Sequence, residues 1–342
     1  MVLIVCWASG AADGEESRGV DIGELGVEGD QDENRCFRVV RLSGAYRHLR
    51  QHSSIPIFGI LLTQKLCTLG LDVRLHCGMI QLICIDVDGT LIGRSGQASD
   101  AVWEAAARTR ARGVRLAVCS GRPGFGLARR YAERLDPDGW HVFQNGASVL
   151  NLADGAARSR VIDPSIITYL VLRARATGRA LELYTDADFV VEHDDERTRR
   201  HAALLGVPFK QRDLLSLANP IVRAQWLVPH ADVNEILAEP HPGLTVLGSL
   251  SPVMSDTTFI NMTSEGVDKS VAIRTVAEAY GIPLADVMMV GDGSNDVTAL
   301  ELVGASVAMG NAEADVRAVA RYHVSHVDQD GLVEAFALAQ TL

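Results

Sequence analysis

From residue 83 onward the apolar positions fall into short unbroken runs, separated by stretches with helical spacing. The run ICI at 83–85 predicts a buried strand. It ends in Asp86, and a second carboxylate, Asp88, follows before Gly89 and Thr90 turn the chain. Ser99 is placed to cap a helix running to about Arg112, with Val102, Ala105, Ala106 and Thr109 on one stripe and Gly113 as its stop. Residues 114–119 predict the next buried strand, ending in Ser120 ahead of Gly121, Arg122 and Pro123. Strand, helix and strand at this spacing form a right-handed βαβ unit, so Asp86 and Ser120 emerge at the same sheet edge. Pro123 suits the first turn of a helix continuing to about Leu135, and a hydroxyl beside such a helix start makes an anion site.

A third strand is expected at 141–145, followed by Asn145 and Gly146, the dipeptide most typical of a hairpin turn. From about 148 to 255 the pattern changes. Strands expected at 181–184, 189–192, 221–228 and 244–247 are interleaved with helices near 164–177, 196–205 and 231–239, which describes a separate α+β lobe inserted between two halves of a parallel sheet. Residues 258–262 are read as a return to the core, with hinges between the two parts near 147–151 and 255–258. The helix opened by GVDK at 266–269 runs to Tyr280 and stops at Gly281. A short strand at 287–290 then leads into GDGSND at 291–296, and outer strands follow at 305–309 and 322–325.

The first 78 residues lack this order. Residues 1–35 carry nine acids against two arginines, and residues 36–78 carry six bases against Asp72 alone. No helical or strand period is sustained across the change of sign; the Gly-rich acidic text reads as disorder, and 55–71 is apolar enough for one short element. The expectation is an extension without persistent structure, or one mis-assigned to the protein, with the functional chain beginning at or near Met79.

Composition narrows the chemistry. The 342 residues suffice for two domains, and a net charge of -11 argues against nucleic-acid or anionic-membrane partners. A small anionic substrate remains compatible, because a bound divalent cation inverts the local sign. Six cysteines form no CxxC pair, and Cys84 and Cys119 lie inside apolar runs, which fits buried thiols in a reducing cytoplasm. No run of 18 apolar residues suggests a membrane span. Of 32 basic side chains only Lys65, Lys210 and Lys269 are lysines, so a lysine at 269 marks a place where a compact ammonium is wanted. Four strand ends thus supply acids, a hydroxyl and a lysine, and an oxygen-only ligand set selects Mg²⁺ over zinc or copper.

The strings DVDGT, VCSGRP, GVDKSVAI and GDGSND, in this order, resemble the four motifs of the haloacid dehalogenase-like phosphatases. Asn145-Gly146-Ala147 and VAMGN at 307–311 resemble the Cof-like sugar-phosphatase branch, whose cap lies between the second and third motifs. The resemblance covers 79–342. It implies a Rossmann-like α/β core at 79–147 and 256–342 with an inserted α+β cap at 148–255. It also implies a Mg²⁺-dependent phosphatase of small phosphomonoesters, sugar phosphates foremost, acting on a small phosphorylated metabolite.

In that scheme Asp86 is the nucleophile that forms an aspartyl-phosphate, and Asp88 is the general acid and base. Ser120, Gly121, Lys269 and Asn295 bind the phosphoryl group, and Mg²⁺ is held by Asp86, Asp292 and the main-chain carbonyl of Asp88, with Asp296 completing or orienting the set. Asn145 and Arg122 are candidate substrate contacts. In the cap, Tyr184, Asp186, Arg197, Arg199, Arg200, His201 and Trp226 could reach a substrate, although each residue type more often packs or is solvated. A phosphomutase of the phosphomannomutase kind and a non-catalytic phosphate binder are the alternatives; substrate identity and oligomeric state are not legible. Mass spectrometry of the native N-terminus is expected to find a chain starting near Met79, and an intact peptide from residues 1–60 would refute it.

Overall fold

The computed structural model describes residues 79–250 and 252–342, preceded by three short strands, β1 (Ile4–Trp7), β2 (Phe37–Val40) and β3 (Asp72–Leu75). These three pair antiparallel in the order β2-β1-β3 within a unit, Met1–Gly78, that is separate from Met79–Leu342. The sequence pattern does not anticipate them. The element expected at 55–71, and the rest of the expected extension, lie outside the described residues.

The second unit is built on a parallel sheet. Its strands are β4 (Leu82–Ile85), β5 (Arg115–Val118), β13 (Val287–Gly291), β14 (Ala305–Ala308) and β15 (Tyr322–His323), in the order β15-β14-β13-β4-β5. The central strand is apolar at every position because both of its faces are covered. Ile83 and Ile85 pack toward helices α1 (Asp100–Ala111), α2 (Gly126–Leu135) and α9 (Gly331–Leu338). Leu82 and Cys84 pack on the other side toward α6 (Lys269–Tyr280), α7 (Val297–Leu302) and α8 (Ala314–Val319). Burial pushes the Cys84 thiol up to about 12, as expected of a thiol serving as a small hydrophobe.

Local signals set the helix ends. Ser99 caps α1 by accepting from the Val102 N–H, and Gly281 ends α6 in the left-handed conformation. One expectation fails: α2 begins at Gly126, not at Pro123, because Gly126 itself is left-handed (φ 64°) and lies against the Leu205 carbonyl. Residues 120–125 are therefore a loop, and Ser120 is not at a helix N-terminus.

After β6 (Trp140–Phe143) the chain makes a hairpin through one 3-10 turn, Gln144–Gly146, into β7 (Ser148–Asn151). The cap then contributes α3 (Pro164–Thr177), β8 (Ala180–Tyr184), β9 (Phe189–Val191), α4 (Glu196–Leu205), β10 (Arg223–Pro229), α5 (Val233–Ala238), β11 (Leu244–Leu250) and β12 (Thr257–Ser264). Its antiparallel sheet has the order β11-β12-β10-β8-β9.

Strand β12 corrects the expected boundary. It lies between β10 and β11 in the cap sheet, not in the core, so the core does not resume at 256. Both of its faces are buried, which removes the period that would have named its sheet. The connections between the two parts also shift: Arg160 still bonds the Ala147 carbonyl just ahead of β7 while Ile162 bonds Ile221 of the cap, and Gly266 bonds Thr245 of the cap just before Asp268 caps α6. The expected hinges at 147–151 and 255–258 are a hairpin and cap segments instead.

The cap sheet has one apolar and one polar face. Ala224, Trp226, Ile260 and Met262 pack with α3, while Arg223, Gln225, Asn261 and Thr263 alternate with them on the opposite face. Among the described residues no helix is long and apolar enough to cross a membrane. Trp226, 2% exposed at the centre of the apolar face, should cost about 3–5 kcal/mol when replaced by alanine. Denaturant titration of Trp226→Ala checks this, and an unchanged midpoint would contradict the packing.

Candidate active site

Strands β4 and β13 are neighbours whose onward connections leave in opposite directions, and such a switch point leaves a crevice at the strands' carboxyl ends. Asp86 leaves β4 there, its N–H still bonded to the Val290 carbonyl at 3.0 Å. The turn that follows requires Gly89: its φ is 93°, and a Cβ on it would lie 2.0 Å from Asp292 Oδ2. Asp292 follows β13 and is held by Thr90 Oγ1 on Oδ1 at 2.9 Å and by Asn311 Nδ2 on Oδ2 at 3.1 Å. Asn311 also donates to the Gly89 carbonyl at 2.8 Å, tying the first turn to the fourth.

Lys269, at the start of α6, is fully enclosed and places Nζ 2.7 Å from Asp86 Oδ1 and 2.5 Å from Asp296 Oδ1. Asp296 Oδ2 accepts from the Asp292 and Gly293 N–H groups at 3.0 and 3.2 Å, so both of its oxygens are engaged. Burial would lower the Lys269 pKa, but the Asp296 and Asp86 carboxylates overcome it and hold the ammonium above its usual value. Oxygens of Asp86, Asp292 and Asp296 lie within 4.8 Å of one another. Burial raises Asp86 well above the carboxylate range; Lys269 opposes this, and Asp296 and Asp292 add to it. Asp292 is raised from 3.8 to about 7, by burial first and by Asp296 second. One ammonium therefore faces three carboxylates in a poorly solvated crevice.

The second strand end completes the crevice. Ser120 is buried, with its N–H bonded to Val142 and its Oγ accepting from the Arg122 N–H at 3.1 Å. The Gln144–Gly146 turn packs on this loop through Asn145 N–H to Ser120 O, and Asn145 Oδ1 accepts from Asn295 Nδ2 at 3.1 Å. Gln144 and Asn145 are both left-handed without being glycine (φ 54° and 55°), a strained pair consistent with a turn whose position matters. Gly146 (φ 99°) allows α6 to approach, since a Cβ there would stand 2.1 Å from the Asp268 carbonyl.

Asp88 is placed differently from the other acids. Its carboxylate is outside the metal-sized cluster and forms a two-pronged pair with Arg122, Nε to Oδ2 at 2.7 Å and Nη2 to Oδ1 at 2.6 Å. Arg122 also lies 3.5 Å from the Leu204 carbonyl near the end of cap helix α4. Of the cap candidates, Tyr184, His201 and Trp226 are buried. Arg197, Arg199 and Arg200 bond Thr257, Asp194 and Asp256, and Asp186 accepts from Ser148 and Ser159. Sequence reasoning gave no role to Thr90, Asn311 or Arg223. The first two sit inside quoted motifs; the third has only its place in an alternating strand as a signal.

The chain matches the family model described as haloacid dehalogenase-like hydrolase over residues 83–336. It is 25% identical over 236 residues to the HMP-PP phosphatase of Cronobacter sakazakii, covering 68% of this chain and 85% of that protein. It is 24% identical over 257 residues to the 5-amino-6-(5-phospho-D-ribitylamino)uracil phosphatase YcsE of Bacillus subtilis, covering 75% and 94%. A haloacid dehalogenase-like hydrolase from Bacteroides thetaiotaomicron superposes with a TM-score of 0.68 at 25% identity, over 75% of this chain and 98% of that one. The HAD subclass IIB sugar phosphatase BT4131 superposes at 0.64 with 21% identity over 75% and 98%, a likeness of fold.

The raised Asp292 pKa gives a test of the site. The folded state holds this proton where the unfolded chain has lost it, so the stabilisation is complete below about pH 4 and is lost as pH rises through about 7. Metal-free protein should lose on the order of a few kcal/mol across that window. Thermal melts should show Asp292→Asn flattening this slope and abolishing any rise in Tm on adding Mg²⁺; an unchanged slope would count against the assignment. With the four motifs converged on one crevice and the family model matched across it, the chain belongs to the haloacid dehalogenase-like hydrolases, in their Cof-like phosphatase branch.

Proposed function

We propose that this protein hydrolyses small phosphomonoesters, sugar phosphates foremost, with Mg²⁺ and through an aspartyl-phosphate. The observation that carries the reading is the convergence of Asp86, Lys269, Asp292 and Asp296 at the ends of β4 and β13, with Ser120 at the end of neighbouring β5. The donor set suits a hard divalent cation. It is all oxygen, its acids outnumber its one ammonium, and burial already drives Asp292 toward protonation where no cation offsets it. Asp86 and Asp292 would hold the ion, with Asp88 contributing its main-chain carbonyl. Asp296, with both oxygens engaged by Lys269 and backbone N–H groups, orients the others. When bound, the ion neutralises charge on the phosphoryl oxygens.

The chain's own groups then divide the work. An Asp86 oxygen attacks phosphorus and the ester bond to the leaving oxygen breaks, while Ser120 Oγ and Lys269 Nζ hold the non-bridging oxygens. Lys269 keeps Asp86 in one orientation before attack. Asp88 protonates the leaving oxygen, then takes a proton from the water that cleaves the acyl phosphate and regenerates Asp86. For that its pair with Arg122 has to open. Arg122 also touches the cap at Leu204, so cap movement and release of Asp88 are linked through one guanidinium.

The polar face of the cap sheet, with Gln225, Asn261 and Thr263, supports a hydroxyl-rich leaving group. Relatives named for sugar and pyrimidine-type phosphates support small organic esters. Phosphate release from a panel of sugar phosphates should require Mg²⁺, cease with EDTA and fall on the order of a thousandfold or more in Asp86→Asn. Release that ignores both the chelator and the substitution would sink the proposal.

A further inference from the structure

Arg223 opens β10 on the polar face of the cap sheet and is only 3% exposed. Its Nη1 donates to the Gly121 carbonyl of the core at 2.8 Å and to Asn261 Oδ1 of β12 at 3.2 Å, and its guanidinium carbon stands 4.0 Å from the centre of the Tyr184 ring. These acceptors are neutral. Nε is buried and has no hydrogen-bond partner. Among the described residues no carboxylate forms an ion pair with Arg223. Glu182 attracts the guanidinium without pairing with it, and Tyr184 supports it too, but the Tyr184 hydroxyl donates to Glu182, which is also engaged by His201 at 3.0 Å and Gln225 at 3.2 Å.

A guanidinium taken out of water with no ion-paired carboxylate and with Nε left without an acceptor is a costly arrangement, which a bound anion would complete. The position fits a ligand. Gly121 follows Ser120 directly, so Arg223 stands at the seam between the cap and the phosphate loop. The transferring phosphoryl group is met by core donors, Ser120 and Lys269, whereas the cap faces whatever is esterified to it.

We infer that Arg223 binds a second anionic group, a phosphate or a carboxylate, carried by the leaving group of the substrate, with Asn261 beside it. This rests on the phosphatase reading above. The preferred substrates are then phosphomonoesters with a second anion within reach of the first, ahead of esters of neutral sugars.

The full chain with Mg²⁺ is assayed on a hexose monophosphate, a hexose bisphosphate and phosphoglycerate, with inorganic phosphate as an inhibitor, in wild type, Arg223→Gln and Arg223→Lys. In Arg223→Gln, KM for one or both bis-anions rises about tenfold or more with kcat nearly kept. KM for the monophosphate and inhibition by phosphate move less than about twofold, and Arg223→Lys recovers part of the loss. The bis-anion that is affected tells phosphate from carboxylate. An equal loss on all three substrates, or weaker phosphate inhibition in step, overturns the inference, because a structural role or contact with the transferring group would do that. Should Arg223→Gln fail to fold, Arg223→Lys carries the same comparison. Wild type inactive on every ester would defeat the phosphatase reading instead; the inference then stands only if the bisphosphate raises Tm more in wild type than in Arg223→Lys.

Discussion

The site depends on one buried ammonium. Lys269 stands between Asp86 and Asp296 with no exposure to solvent, and it allows two carboxylates to share a crevice that a third, Asp292, also enters. Such a cluster is tolerable only if the charges are paired and their remaining lone pairs bonded. The structure meets both needs: Thr90 and Asn311 bond Asp292, and backbone N–H groups bond Asp296. The charge left over after Lys269 is one that a bound cation would neutralise. Replacing this lysine by arginine, the cation used almost everywhere else in the chain, would put a planar fork where the space admits a compact point charge.

The fold serves that constraint by bringing strand ends together. Two parallel neighbours, β4 and β13, deliver Asp86 and Asp292 from positions about two hundred residues apart. Glycines keep the turns close enough for Thr90 and Asn311 to reach across. The cap is tied to the same loops by few but specific contacts: Arg223 to Gly121, Arg122 to Leu204, and the serines at 148 and 159 to Asp186. The first two reach the loop that carries Ser120 and the side chain that holds Asp88, so the position of the cap and the geometry of the site are not independent.

Much of this was legible in the chain. The strand that ends in Asp86, the Ser99 helix cap, the helix opened by GVDK and its Gly281 stop are set by interactions within a few residues, and they are found where the pattern put them. The four motifs carry their chemistry in residue type and spacing, so the oxygen-only cluster and its single lysine could be named before any contact was seen. Arg223 shows the opposite case. An arginine in an alternating strand reads as solvated, and only its partners across the sheet and the core show it buried.

By itself the sequence determined the α/β class, the order of the strands that end in reactive residues, and the kind of cation they suit, because these follow from local periodicity and side-chain chemistry. Tertiary structure decided which sheet β12 joins, where α2 begins, that Asp88 is held by Arg122, and which face of the cap meets the loop after β5. Each of those is a choice among partners distant in sequence. A strand buried on both faces, or a charge whose mate lies on another element, carries no mark along the chain of which partner it will find.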